Sequence, residues 1–156
     1  MKDKKLVFDK WADFHLKDIT KYTIEQIAAY VFVIDAMNFC FWPNNPSGQF
    51  EYEHMARNLE KMLDTNPDFF TPNCLAEVQE EYLREHIFDG NKQFALVDER
   101  ARLLRELGTE LKGLGTNGGS TFMDFIGKSG HDAPTLVKQV LDTFAGFRDQ
   151  AIYQGR

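Results

Sequence analysis

Hydrophobic residues recur at helical spacing along most of this 156-residue chain, and no stretch shows the sustained hydrophobic–polar alternation that marks a β-strand. The clearest helical pattern begins near Val97, and Gly115 supplies the glycine that commonly follows the end of a helix. The pattern predicts an all-α fold in which residues 1–156 form a single helical region. The apolar positions of that clearest helix are Val97, Ala101, Leu104, Leu107, Leu111 and Leu114.

Capping residues and prolines set the expected bounds of the first three helices. Thr23-Ile24-Glu25-Gln26 has the form of a capping box, and the helix that it opens is apolar on nearly every side. We therefore expect a buried central helix from Ile24 to about Phe41. A second helix is expected from about Glu51 to Asn66, and a third from Thr71-Pro72 through Leu83.

Two shorter helices are expected in the last third of the chain. Gly118-Gly119-Ser120 is expected to cap a short helix that carries Phe122, Phe125 and Ile126. Asp132-Ala133-Pro134 provides a cap followed by a proline, which predicts the start of a last helix. The apolar residues of that last helix are expected to be buried, and they are Leu136, Val137, Val140, Leu141 and Phe144.

Composition and charge narrow the classes of function. The chain is 43% hydrophobic, which argues against disorder, and its formal net charge of −6 argues against direct binding of nucleic acid. A small anionic ligand needs only one or two local cations and is compatible with that charge. The charged start of the chain, Met1 to Lys5, and the lack of an apolar run of membrane-spanning length predict a cytoplasmic or nuclear protein without membrane contact.

The cysteines and histidines indicate neither a metal site nor an activated nucleophile. Cys40 and Cys74 lie in apolar stretches and are expected to be buried free thiols. The four histidines show no metal-ligand spacing, and no Ser-His-Asp or Cys-His pattern is present. We therefore predict that the chain holds no metal.

Two polar residues stand out inside the otherwise apolar central helix. Asp35 and Asn38 lie three residues apart, which places them on one side of the helix, and burying them without partners would be costly. One interpretation is a core pair that is hydrogen-bonded to a neighbouring helix end. The other is a ligand pocket walled by Phe39 and Trp42. The residues alone favour the first interpretation, because structural networks also bury polar groups.

The region around Arg148-Asp149 allows more than one interpretation. Neighbouring residues diverge on a helix, so a salt bridge within this pair is not expected, and a surface position is the default. The alternative is that Arg148 binds an anion or that Asp149 orders another helix. Without a resemblance to a known family, these residues indicate a helical domain with a polar spot in its core, and they do not indicate which reaction it catalyses.

The same residues resemble a known family, the queuosine-salvage proteins, which are queuosine 5′-phosphate N-glycosylases. The segment Val31 to Trp42 resembles the aromatic-flanked Asp-x-x-Asn-Phe-x-Phe-Trp helix of that family. Leu96 to Arg100 is similar to its Glu-Arg helix. Further similar elements follow the family order: Trp11 with His15, Phe50 to Glu53, Gly118 to Ser120, and Phe147 to Asp149 with Tyr153 and Gly155.

The resemblance implies both a fold and an activity. The implied fold is a helical bundle like that of the helical DNA glycosylases. The implied activity is hydrolysis of the bond between a 7-deazaguanine base and ribose 5′-phosphate, which frees queuine for salvage into tRNA modification without a cofactor. The substrate is then a small nucleotide. The residues implied to bind it are Asp35, Asn38, Phe39, Trp42, Arg148 and Asp149.

The chain departs from the family in one respect. It ends before the family's Lys-Arg-Ala-Gln helix, and the carboxylates associated with catalysis lie further on, in an Ala-Asp-Tyr-Arg motif and an Asp-rich helix. We therefore expect an incomplete domain that holds no catalytic residue, is inactive alone, and self-associates through an apolar face. The rival interpretation is a non-enzymatic helical binding or scaffold module. The apolar face is expected because Phe144, Phe147, Ile152 and Tyr153 are spaced so that they cannot all turn into one core.

Overall fold

A computed structural model of the chain describes residues 15–41, 51–115, 120–148 and 150. These residues form helices and turns without a β-strand, so the all-α prediction is confirmed. Short 3₁₀ turns lie at Ile19–Lys21, Pro67–Phe70 and Ala145–Phe147. The α-helices are α1 (Ile24–Met37), α2 (Tyr52–Thr65), α3 (Pro72–Leu75), α4 (Glu80–His86), α5 (Val97–Leu114), α6 (Phe122–Gly127) and α7 (Ala133–Thr143).

Helix α1 is the central helix, and it contacts α2, α5 and α6. The expected capping box opens it, because Thr23 Oγ1 accepts the Gln26 N–H at 3.2 Å and Gln26 Oε1 accepts the Thr23 N–H at 2.8 Å. The expected end is wrong. Helix α1 stops at Met37, and Asn38 leaves the helical region with φ −82° and ψ 68°. The buried residues of α1 are Ala28, Ala29, Tyr30, Phe32, Val33, Ile34, Ala36 and Met37.

Helix α5 runs from Val97 to Leu114 and is followed by Gly115, as predicted. Its inner side is buried, but Leu114 is 42% exposed and takes no part in the core. Gly108 permits a close approach to α3, because a Cβ atom at this position would lie 2.3 Å from the backbone N of Ala76 and 2.5 Å from the carbonyl O of Pro72. The tight contact between α3 and α5 therefore requires glycine here.

The third helix is not continuous as predicted, because it divides into α3 and α4. The Thr71 side chain caps α3 by accepting the Cys74 N–H at 3.4 Å. The backbone is extended at Gln79, and the carbonyl of Val78 accepts a hydrogen bond from Arg105 Nη1 at 2.8 Å. Val78 is buried even though it lies outside a helix. Contacts with α5 therefore override the helical pattern of this segment.

The last two helices differ from prediction in their caps and in their burial. Thr121 rather than Ser120 caps α6, and its Oγ1 accepts the Asp124 N–H at 3.1 Å. Helix α7 begins where predicted, after Asp132, but it contains no buried residue. Val137 is 58% exposed. The predicted burial is therefore wrong for Val137 and Leu141, whereas Leu136 and Val140 are half-buried against the core and Phe144, directly after the helix, is buried as predicted.

Aromatic rings fill the core between α1 and the end of the described chain. The Phe32 ring centroid lies 5.2 Å from that of Phe122 and 6.1 Å from that of Phe144. Phe144 is fully buried and therefore takes no part in an exposed apolar face, and Phe147 is half-buried. Ile152 and Tyr153 lie outside the described residues. The ring cluster holds the 3₁₀ turn Ala145–Phe147 against α1.

Cys40 and Cys74 are free thiols as expected, but both are exposed rather than buried. Among the described residues, no group of three or more His, Cys, Asp or Glu side chains is placed to hold a metal ion. The described helices include none that is long and apolar enough to cross a membrane. The cellular compartment stays a prediction.

Candidate functional site

Two neighbouring cavities meet at Asp35. The first, here called the apolar cavity, has a volume of about 540 Å³ and lies between α1 and α7. Its walls include Val31 and Phe32 from α1, and Val137 and Leu141 from α7. Asp35 is the charged residue of this lining, so a ligand in the apolar cavity would meet one carboxylate in hydrophobic surroundings.

The second cavity, here called the polar cavity, has a volume of about 760 Å³. It lies beside the end of α1, the first half of α5 and the 3₁₀ turn Ala145–Phe147. Asp35 and Phe147 line both cavities. A flat ligand at the junction would therefore contact a carboxylate and an aromatic ring together. Other residues of the polar lining are Asn38, Phe39, Cys40, Glu99, Arg102 and Gln150.

The predicted hydrogen-bonded core pair is wrong, because the side chains of Asp35 and Asn38 are both exposed. Neither side chain has a hydrogen-bond partner among the described residues. Asn38 lies one residue beyond α1, so the two residues do not share a helical face. Both nevertheless line the polar cavity, as the second interpretation of these residues requires.

The carboxyl of Asp35 is perturbed by its surroundings even though the side chain is exposed. Neighbouring protein atoms displace part of its hydration shell, and this desolvation raises the pKa of Asp35. Tyr52 of α2 is close enough to respond to its charge: desolvation, followed by the negative charge of Asp35, raises the pKa of Tyr52 to about 12. The charged form of Asp35 is therefore stabilised if a ligand donates hydrogen bonds to it, and without such a ligand the protonated form is favoured more than in an ordinary Asp.

A buried polar chain continues from Tyr52 into the protein. The hydroxyl of Tyr52 lies 3.2 Å from His15 Nε2, and the hydroxyl of Tyr30 lies 3.3 Å from His15 Nδ1. Burial lowers the pKa of His15. The hydroxyl of Tyr30 also donates to the carbonyl of Ala56 at 3.3 Å. This chain ties the segment before α1 to α2 beside Asp35.

The cation in the polar cavity, Arg102, is already paired with carboxylates of its own helix. Its Nε and Nη2 donate to the two oxygens of Glu99 at 2.9 and 2.7 Å, and its Nη1 donates to Glu106 at 3.0 Å. Sequence reasoning did not assign these residues to the site. Their spacing of three and four residues on one helix was the available signal.

The remaining predicted site residues divide into three groups. Phe39 is half-buried and lines the polar cavity beside Asn38. Arg148 lies outside both linings, because its Nε donates to the carbonyl of Leu141 at 2.7 Å and its Nη2 to that of Asp142 at 3.1 Å. Arg148 therefore caps the end of α7 in this structure. Trp42 and Asp149 lie outside the described residues.

The fold and the cavities define a class: an all-α protein with a carboxylate at the junction of the apolar cavity and the polar cavity. The family model for queuosine salvage proteins matches residues 15–156, which is most of the chain. The chain belongs to that family. The resemblance inferred from the Val31 to Trp42 segment is thereby confirmed.

Three relatives illustrate the extent of the similarity, and each is named queuosine 5′-phosphate N-glycosylase/hydrolase. The protein from Dictyostelium discoideum is 38% identical over 154 residues, which cover 94% of this chain and 45% of the relative. The protein from Sphaerobacter thermophilus is 35% identical over 139 residues, covering 84% and 42%. The Mus musculus protein is 28% identical over 144 residues, covering 85% and 41%. The chain thus spans less than half the length of these relatives.

Proposed function

We propose that this chain forms part of the substrate site of an N-glycosyl hydrolase that releases queuine from queuosine 5′-phosphate. The observation that carries the proposal is the family match over residues 15–156, together with relatives of 35–38% identity that bear this enzyme name. The same names favour an enzyme over a non-enzymatic scaffold.

The geometry at Asp35 supports this assignment. The carboxylate of Asp35 can accept hydrogen bonds from the sugar or from the edge of the base. Flat bases are held by stacking on aromatic walls and by hydrogen bonds to their edges. Phe147 supplies a ring at the junction and Phe39 a second ring in the polar cavity, where the amide of Asn38 supplies donors and an acceptor.

Asp35 is assigned to substrate binding rather than to the bond-breaking step. The resemblance places the catalytic carboxylates in motifs that residues 1–156 do not contain. We propose Asp35, Asn38 and Phe39 as the described residues that contact the nucleotide.

Self-association is part of the proposal, but through a different surface from the one first expected. The exposed apolar side of α7, with Val137 58% exposed and Leu141 38% exposed, supports such a contact. The net charge of −6 supports a small nucleotide over a nucleic-acid backbone as the ligand.

Titration of the purified chain with queuosine 5′-phosphate tests the proposal, with guanosine 5′-phosphate as the matched control. We expect queuosine 5′-phosphate to bind more tightly, and chromatography for free queuine to show no turnover by the chain alone. Failure of a cooperatively folded chain to prefer queuosine 5′-phosphate would contradict the proposal. Turnover would support the enzyme and show that a carboxylate within residues 1–156, such as Asp35 or Asp149, carries the chemistry.

A further inference from the structure

Arg100, near the start of α5, is fully buried and uses its guanidinium in an unusual way. No carboxylate pairs with it among the described residues, and each of its hydrogen bonds goes to a backbone carbonyl. Desolvation lowers the pKa of Arg100 to about 10. Burying a cation costs free energy because it loses its hydration, so carbonyl dipoles and aromatic rings must offset that cost.

The carbonyls that Arg100 binds belong to two segments. Its Nε donates to the carbonyl of Met37 at 3.1 Å, and its Nη2 donates to the carbonyl of Phe39. Its Nη1 donates to the carbonyls of Ala95 and Leu96, at 3.0 and 3.2 Å. The carbonyls at the end of a helix lack partners within that helix and attract a cation. Arg100 therefore binds the carbonyls at the end of α1 and just beyond it.

Aromatic rings complete the surroundings of this guanidinium. Its central carbon lies 4.3 Å from the ring centroid of Phe39 and 4.8 Å from that of Phe94. The rings of Phe41 and Phe88 follow at 5.3 and 5.5 Å. These distances permit cation–π attraction. One of these four rings, that of Phe39, also lines the polar cavity.

The short segment after α1 has a strained backbone at its centre. Cys40 has φ +47°, a left-handed conformation that residues other than glycine rarely adopt. Arg100 binds the carbonyl immediately before Cys40 and lies over the ring of Phe41 immediately after it. Such strain persists only where surrounding contacts enforce it.

We propose that Arg100 is a positioning residue for substrate recognition, which fixes the backbone after α1 so that Asn38 and Phe39 present their side chains to the polar cavity. This inference rests on the proposed function, because it assigns the polar cavity to the nucleotide. Lysine keeps the charge but has no planar fork to bind two separate carbonyls. Arg100→Lys therefore releases the segment without removing the cation.

The test compares Arg100→Lys with Arg105→Lys in the full chain. Arg105 is the matched control, because it lies on the same helix and donates to a single carbonyl, that of Val78. The first measurement is the thiol-labelling rate of Cys40 relative to that of Cys74, both of which are exposed. We expect Arg100→Lys to raise this ratio several-fold, and Arg105→Lys to leave it unchanged.

The second measurement is affinity for queuosine 5′-phosphate, which should fall about tenfold in Arg100→Lys and stay near the parental value in Arg105→Lys. If Arg100 and Arg105 had purely structural roles, both variants would lower the melting temperature without changing the labelling ratio or the affinity. A third variant, Phe94→Leu, removes one ring that does not line the polar cavity and should also raise the labelling ratio.

The results separate this inference from the proposed function. Parental labelling ratios in both folded Arg100→Lys and folded Phe94→Leu would overturn the positioning role. A raised ratio combined with unchanged affinity would also overturn it, because the segment would then not matter for recognition. Failure of the parental chain to bind queuosine 5′-phosphate would overturn the proposed function, while the labelling ratio would still report on Arg100.

Discussion

The carboxylate of Glu25 accepts the backbone N–H groups of Phe122 and Met123, at 2.9 and 2.8 Å. These are the first two amides of α6, which have no partner within their own helix. The next amide, that of Asp124, is satisfied by Thr121. The first turn of α1 thus completes the cap of a helix almost one hundred residues further along the chain.

Replacing Glu25 should therefore destabilise the protein. We expect Glu25→Ala to lower the free energy of unfolding by about 1–3 kcal/mol, because it leaves two partly buried amides without an acceptor. Glu25→Gln should cost less, because its amide keeps one acceptor oxygen. Urea denaturation measures both. Glu110→Ala, at an exposed site on α5, is the control, and an equal loss there would contradict the role of Glu25.

Two glycines of α5 should respond to alanine in opposite directions. Gly108→Ala places a methyl group against the backbone of Ala76 and Pro72, and we expect a loss of about 1–3 kcal/mol or more. At Gly113 an added Cβ meets nothing within 4 Å, so alanine should stabilise the helix by about 0.5–1 kcal/mol. Thermal denaturation compares them. Equal effects would show that α3 does not pack closely on α5.

Asp35→Asn should weaken binding of queuosine 5′-phosphate and at the same time stabilise the chain at neutral pH. Desolvation raises the pKa of Asp35 in the folded state, so the folded state binds more protons than the unfolded state above the ordinary Asp value of about 3.9. Stability contributed by this group then falls as pH rises through that window. A neutral amide avoids the loss.

Melting temperatures of the parental chain and of Asp35→Asn across pH test the predicted direction of this effect. The advantage of Asp35→Asn should be present at pH 7 and disappear in acid below the ordinary Asp pKa. Asp132 provides the opposite case, because hydrogen bonds from Thr135 lower its pKa. Its stabilising contribution is present at neutral pH and lost as pH falls. An advantage of Asp35→Asn that grows in acid would refute the desolvation argument.

The apolar side of α7 should govern self-association. We expect Val137→Asp to reduce concentration-dependent association in sedimentation velocity without a loss of stability, because the side chain is already exposed. Leu114→Asp, at another exposed apolar position on α5, is the matched control and should leave association unchanged. Equal behaviour of the two variants would remove α7 from the contact surface.

Local signals in the sequence predicted the helix starts well. The caps at Thr23, Thr71 and Asp132 depend on residues within one turn, and the structure has all three. The early end of α1 and the break between α3 and α4 were not predicted, because the contacts made there come from residues remote in sequence. The carbonyl at the end of α1 is bound by Arg100 of α5, and the carbonyl at the break after α3, that of Val78, is bound by Arg105 of α5.

The candidate site was predictable in part for the same reason. An acidic residue in an apolar helix marks Asp35 as unusual, and the structure places it in both cavity linings. Arg100 was missed because its partners are backbone carbonyls, which any residue type provides. Its spacing from Val97 and Leu104, three and four residues, was the signal that placed it on the buried side of α5. Apolar periodicity in α7 correctly indicated one hydrophobic side but could not say what covers it.

The weak anchoring of α7 has a consequence for how the molecule moves. Beside its contact with the 3₁₀ turn at its end, the helix is tied to α6 by Gln139, whose Nε2 donates to the carbonyl of Phe125 at 2.6 Å. Helices without buried side chains open at a lower free energy than the core, so α7 should exchange its amide hydrogens far sooner than α1 or α5. One wall of the apolar cavity therefore belongs to the helix that is expected to open more readily than α1 or α5.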